Sequence, residues 1–199
     1  MPSGNRIEIT INQGTRKMAA ALKFSLNGTE YEAQGLRHIK KSYNKIAKEI
    51  LLWMEIKRRA EEEAQFKGMT ANCMSDLEHI MPQTWKDYWP ITKPAVVDPE
   101  SGNAVAAPEE ATQLRKDAVY EIGNMSLLNT RWNRQVQNRD IEIKIKGDGA
   151  GIPGIEIDKI DVRYTRDVLN EIVANGYLWN EKTIRDRTNK LSDQFLLMW

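Results

Sequence analysis

The run Asp76-Leu77-Glu78-His79-Ile80-Met81-Pro82-Gln83 puts two carboxylates and an imidazole within four positions, then meets a proline. Residues 74–80 read as a short strand, and Pro82 cannot continue its hydrogen-bonding ladder. A second run, Ile122-Gly123-Asn124-Met125-Ser126-Leu127-Leu128, reads as another short strand over 123–129, with asparagines behind it at 129, 133 and 138. Two short strands are thus expected from distant parts of the sequence. A carboxylate beside a histidine, joined by a later amide, is the minimal equipment for one-metal cleavage of a phosphodiester. Acid and amide supply hard oxygens to a divalent cation, histidine takes a proton from water, and the metal's charge stabilises the phosphate and the leaving oxygen.

These two runs resemble the HNH (His-Me finger, ββα-metal) nucleases, and within them the C-terminal nuclease domain of the GmrSD-type restriction enzymes. That family usually reads Leu-Glu-His-Ile-Leu-Pro-Gln, then Gly-Asn-Leu-Thr-Leu-Leu and a pair of asparagines. It closes with a tryptophan, an isoleucine, an arginine and a leucine along a terminal helix. Here Trp179, Ile184, Arg187 and Leu191 follow in that order, before Trp199. The resemblance covers residues 43–199.

The resemblance implies roles for particular side chains. His79 is the expected general base. Glu78 is the expected metal ligand, from the position beside the catalytic histidine; Asp76, on the same strand face, is either an alternative ligand or a supporting group. Asn133 is expected to bring an amide oxygen to the same cation, Mg²⁺ or Mn²⁺. Glu78, His79 and Asn133 are thus expected to converge in space. Asn124 is expected to fix the strand and loop geometry through backbone hydrogen bonds, with Asn129 and Asn138 as weaker structural candidates. No second histidine follows His79, so waters are expected to complete most of the coordination shell. The family's usual aromatic and lysine after its asparagines have no match, because Arg139 to Lys146 alternates apolar and polar residues as a strand does. His38 lies at a basic helix start without a partner motif and reads as structural.

The implied function is a metal-dependent DNA endonuclease of a restriction or antiviral defence system. Its substrate would be double-stranded DNA, including modified phage DNA, and its partner an NTP-using or sensing domain or subunit. The alternative is a non-catalytic DNA-binding or partner-docking module that keeps the finger fold. A purely helical interaction domain ranks below both.

A formal net charge of +1 in 199 residues gives no overall basic excess, so any grip on a polyanion has to come from segregated charge. Arg131, Arg134 and Arg139 lie nearest the candidate metal ligands and are the expected DNA contacts; Arg131 and Arg134 share a helix face. Hydrophobic content of 41% and charged content of 29% suit a soluble globular chain. No apolar run reaches membrane-spanning length, and no secretory leader is recognisable. The lone Cys73 excludes an intramolecular disulfide and a thiolate zinc cluster. A reduced, cytoplasmic setting follows as the expectation.

The expected class is α+β and mostly helical, with a ββα-metal core, flanking helices and an N-terminal β arm. Residues 1–35 form the arm: a strand over 6–12, then a hairpin around Asn27-Gly28. Residues 36–199 form the nuclease domain, with the finger motif at about 74–140 and C-terminal helices in 160–199. A helical stripe runs through Ile39, Tyr43, Ile46, Ile50, Trp53, Met54 and Ile56 within 36–67. Residues 84–99 read as an aromatic loop, 98–110 as a mobile loop, 111–122 as a helix, and 146–154, with four glycines and a proline, as a loop. The helix after the second strand is expected over 131–138. Helices over 165–175 and 181–198 close the chain, with Gly176 after the first and Asn180 capping the second. Trp179, Ile184, Leu191 and Leu196 are expected to pack on the long helix.

Overall fold

The computed structural model describes residues 24–26, 29–31, 36–62, 75–92, 95–136 and 138–197. It divides into two units, residues 1–45 and 46–199. In the first, β1 (Phe24–Leu26) and β2 (Thr29–Tyr31) pair antiparallel, with Leu26 opposite Thr29. That register suits the Asn-Gly hairpin; the Asn27-Gly28 turn and the strand expected at 6–12 lie outside the described residues. The helix α1 (Leu36–Glu62) begins there and continues into the second unit.

The second unit is mostly helical around one small sheet. β3 (Ser75–His79) and β4 (Met125–Asn129) pair antiparallel, with Leu77 opposite Leu127, Glu78 opposite Ser126 and His79 opposite Met125. Around them lie α2 (Pro108–Val119), α3 (Thr130–Val136), α4 (Ile141–Lys146), α5 (Arg163–Ala174) and α6 (Glu181–Leu197). The α+β, mostly helical class is as the sequence indicates. The core joins Leu51 and Met54 of α1 to Met81, Trp89, Met125, Leu127, Ile172 and Ile184.

Local chemistry sets the helix ends. Pro108 opens α2 with its ring-fixed φ, and Glu109 and Glu110 face the positive end of the helix dipole. Asn180 caps α6: its Oδ1 accepts from Thr183 N–H at 3.1 Å, and Asn180 N–H donates to Thr183 Oγ1 at 2.9 Å. The start of α5 is capped from another element. The carboxylate of Glu55, fully buried on α1, accepts from Arg163 N–H at 3.1 Å and Tyr164 N–H at 3.2 Å, and Arg59 Nε balances its charge at 2.7 Å. A second buried carboxylate, Glu181, holds Arg115 Nε at 2.5 Å and Val97 N–H at 3.1 Å. Thr165 clips α5 to β4, donating to Leu127 O at 2.7 Å while accepting from Leu127 N–H at 3.2 Å.

Several elements differ from expectation. The stretch read as strand-like after Arg139 is the helix α4. Asp140 Oδ1 accepts from Ile143 N–H at 3.0 Å, and Gly147 ends the helix at φ +80. An N-cap at one end and a left-handed glycine at the other outweigh six residues of alternation. On α1 the buried face is Ala47, Leu51, Met54 and Glu55, whereas Trp53 is 56% exposed. The stripe therefore points elsewhere than an all-apolar count suggests, because a partnered glutamate takes a core position. Trp179, Ile184 and Leu191 are buried, but Leu196 is 53% exposed. Among the described residues α6 packs chiefly on the 3₁₀ turn Ile122–Asn124 and on α2, and Arg58 and Glu61 of α1 line a cleft shared with Arg187, Lys190 and Leu191 of α6. Residues 98–103 form a hydrogen-bonded turn. Asp98 Oδ1 accepts from the backbone N–H groups of Glu100 and Ser101 and from Ser101 Oγ, and Gly102 takes φ +75.

Candidate active site at the end of the two-stranded sheet

Strand alternation separates the motif side chains. Leu77 and His79 lie on one face of the sheet, with Leu127 and Met125 opposite them. Asp76 and Glu78 lie on the other, with Leu128 and Ser126 opposite. His79 is buried. Its ring meets Tyr120 edge-on, with centroids 6.1 Å apart and planes at 75°. The amide of Gln83, four residues on, lies against the ring, with Nε2 3.4 Å from Nδ1 and 3.3 Å from Nε2. Burial, reinforced by the positive charge of Lys144, pulls the His79 pKa down to about 4. At neutral pH the imidazole is therefore uncharged and has a lone pair to offer.

On the other face Glu78 is engaged. Its Oε1 accepts from the ammonium of Lys144 at 2.5 Å, and the same ammonium donates to His79 O at 3.1 Å and Ile80 O at 3.0 Å. Burial pushes the Glu78 carboxyl up and the Lys144 ammonium down, and in each case the partner's charge opposes the shift. Hydrogen bonds satisfy both partners, which offsets the cost of burying them. Glu78 Oε2 has no partner among the described residues and is not sealed from solvent; the side chain keeps 14% of its exposure. Behind the pair lies a small apolar space lined by Leu128, Val136, Ile141, Ile155 and Leu169. Asp76 is half-buried on the Glu78 face and makes no hydrogen bond to a described residue.

The turn after His79 is pinned by Asn124, which is fully buried and uses its whole amide. Asn124 Oδ1 accepts from Met81 N–H at 2.8 Å and Trp179 Nε1 at 3.1 Å. Its Nδ2 donates to Met81 O at 2.8 Å and Val119 O at 3.0 Å. The backbone adds Ile80 N–H to Asn124 O at 2.9 Å. Next door, Arg187 Nη1 donates to Gly123 O at 2.5 Å and Met125 O at 2.7 Å. Burial draws its pKa down to about 10, so it stays charged at neutral pH. Gly123 has no room for a side chain: a Cβ there would lie 2.1 Å from Ile184 O.

α3 follows β4 directly and packs on both strands. Asn129 Oδ1 accepts from Trp132 N–H at 2.9 Å and so caps this helix. Asn133 is half-buried on α3, and its amide makes no hydrogen bond to a described residue; Asn138 is exposed just beyond the helix. Arg131 and Arg134 are exposed on α3, Arg131 against the Trp132 ring at 5.8 Å, and Arg139 lies over the exposed Tyr88 ring at 5.0 Å. None of the three forms an ion pair with a described residue.

Lys144, Gln83 and Tyr120 are the members of this site that sequence reasoning did not single out. A signal for Lys144 was available. With Asp140 read as an N-cap, Ile141, Lys144 and Ile145 share one helical face, and all three are buried. A lysine on an apolar face needs a buried acid nearby.

Among the described residues no group of three or more His, Cys, Asp or Glu side chains is placed to hold a metal ion. Zinc-type ligation within the described residues is not supported by this donor set. A cation that keeps most of its waters needs only one or two protein oxygens, and the open Glu78 Oε2 fits that requirement. No helix among the described residues is long and apolar enough to cross a membrane.

The model of one family, GmrSD restriction endonucleases, C-terminal domain, matches residues 13–194. No curated protein and no solved structure matches the chain.

Proposed function

From the premise that this chain belongs to the family of GmrSD restriction endonuclease C-terminal domains, we propose that it is a metal-dependent DNA endonuclease of the HNH type. The observation that carries the reading is the buried, neutral His79 at the end of β3, one residue after a carboxylate with an open oxygen. His79 accepts the proton of the attacking water. A group protonated only near pH 4 is free to accept at neutral pH, though at that pKa it is a weak base. The Gln83 amide and the Tyr120 ring hold the imidazole in place. Glu78 Oε2 and the Asn133 amide oxygen are the hard donors assigned to Mg²⁺ or Mn²⁺, with Asp76 as the alternative carboxylate. When bound, that cation neutralises charge on the scissile phosphate and the leaving oxygen.

Arg131, Arg134 and Arg139 are the groups assigned to the DNA backbone. Free of acid partners among the described residues, their guanidinium groups can each place two donors on a phosphate. Double-stranded DNA is the substrate proposed, and a restriction or antiviral defence system in the cytoplasm is the setting. Modified phage DNA is the target that this setting suggests. An NTP-using or sensing domain or subunit is the partner proposed for regulation.

The test is cleavage of supercoiled plasmid with Mg²⁺ or Mn²⁺, with EDTA, and by His79→Ala. Metal-dependent cleavage by the wild type, lost in EDTA and in His79→Ala while DNA binding persists, is the expected result. DNA binding without cleavage under any divalent cation would leave a non-catalytic DNA-binding module instead.

A further inference from the structure

We propose that Lys144 is a positioning residue of this site, its ammonium fastening the Glu78 carboxylate and the backbone of His79 and Ile80 into the arrangement that cleavage requires. The inference rests on the nuclease reading of the same site. An ammonium carries three N–H donors and no acceptor. Those of Lys144 go to Glu78 Oε1, His79 O and Ile80 O. None remains for a phosphate, so Lys144 does not touch DNA. Its contacts fall on the two residues to which chemistry is assigned and on the residue after them.

The lysine is itself anchored. Its side chain is 2% exposed. Ile155 N–H donates to Lys144 O at 3.0 Å, and Gly154 packs so closely on α4 that a Cβ would lie 2.1 Å from Ile145 O. The loop 147–155 is closed in turn by Asp148 Oδ1, which accepts from the N–H groups of Ala150, Gly151 and Ile152. The ammonium is thus delivered from a backbone that cannot slide. It fixes which Glu78 oxygen is engaged and which stays open, and it holds the strand end where His79 leaves the ladder.

Lys144→Met keeps the length of the stem and removes the donors. Metal-supported plasmid cleavage should lose about 100-fold in kcat, the scale on which small misplacements of reacting groups act, with KM for DNA within about twofold. Lys144→Arg keeps the charge but spreads its donors in a plane, so it should recover part of the loss. Hydrogen exchange of the same proteins without metal gives an independent readout. Exchange should rise in Lys144→Met across residues 78–81 while α5 and α6 stay protected. Lys144→Met with wild-type kcat, or a loss carried wholly by KM, overturns the proposal. So does exchange that is unchanged or uniformly faster. If Lys144→Met does not fold, Lys144→Arg decides on the same two readouts: wild-type kcat with unchanged exchange at 78–81 overturns the proposal. If the wild type itself cleaves nothing, the nuclease reading falls, and exchange at 78–81 still decides whether Lys144 fixes the strand end.

Discussion

Acidifying the metal-free protein should destabilise it through His79, by an amount that follows from its burial. In the unfolded chain the imidazole titrates near its ordinary value of about 6.5; folded, it titrates at about 4. Between these values the unfolded state binds a proton that the folded state refuses, so stability is lost as pH falls. The contribution is complete above the unfolded value and exhausted below the folded one. Each pH unit of difference is worth about 1.4 kcal/mol, which makes the full span about 3 kcal/mol and the part lost by pH 5 about 2 kcal/mol. The group is 8% exposed, so solvent screening takes little from this figure. Urea unfolding in EDTA at pH 7 and pH 5, for wild type and His79→Gln, isolates the effect, because every other titrating group is common to both. The wild type should lose about 2 kcal/mol more than the variant over that interval. Parallel losses would show that the His79 pKa is ordinary, and the case for an imidazole held neutral by burial would fall with it.

Three further outcomes are expected. Arg115→Met leaves the Glu181 carboxylate buried without its cation and should cost about 3–5 kcal/mol in urea unfolding, while Arg115→Met with Glu181→Met should regain most of it. Gly123→Ala drives a methyl into the α6 backbone; thermal unfolding should show a loss of about 1–3 kcal/mol or more, and a wild-type Tm would contradict the packing. Replacing Arg131 and Arg134 with Ala should weaken DNA binding and lower the slope of log K against log salt by about 1–2. An unchanged slope would place the phosphate contact elsewhere.

Much of the fold could be read from residue order. The two motif strands, the helix after the second, and the Asn180 cap of α6 were legible because each depends on chemistry within a few residues. What escaped depends on partners far along the chain. Glu55 and Glu181 look like surface acids on helices, yet both are buried because distant segments bring them partners: the N–H groups of Arg163 and Tyr164 to Glu55, and Arg115 to Glu181. The α4 helix was misread because six alternating residues suit either state, and the deciding cap and glycine lie at its ends. Lys144 was hidden by the same misreading: on a strand it would face solvent as readily as core. The identities of His79 and Glu78 were legible from the motif. That Glu78 meets a lysine on one face of the sheet, while His79 meets Tyr120 on the other, required the register of β3 on β4.

The ties from Trp179 and Arg187 to residues 123–125 have a consequence in time. A chain made from its N-terminus carries His79 and Glu78 long before it carries the indole and the guanidinium that brace their loop. Until Trp179 has emerged from the ribosome Asn124 lacks one of its four bonds, and until Arg187 follows Gly123 and Met125 lack their guanidinium partner. The end of the sheet that carries His79 is then held only in part. Order in that loop, and with it the cleavage proposed above, is delayed until Trp179 and Arg187 have been synthesised. A nascent or truncated chain ending before Trp179 would hold every residue assigned to the chemistry and still be inert towards the DNA around it.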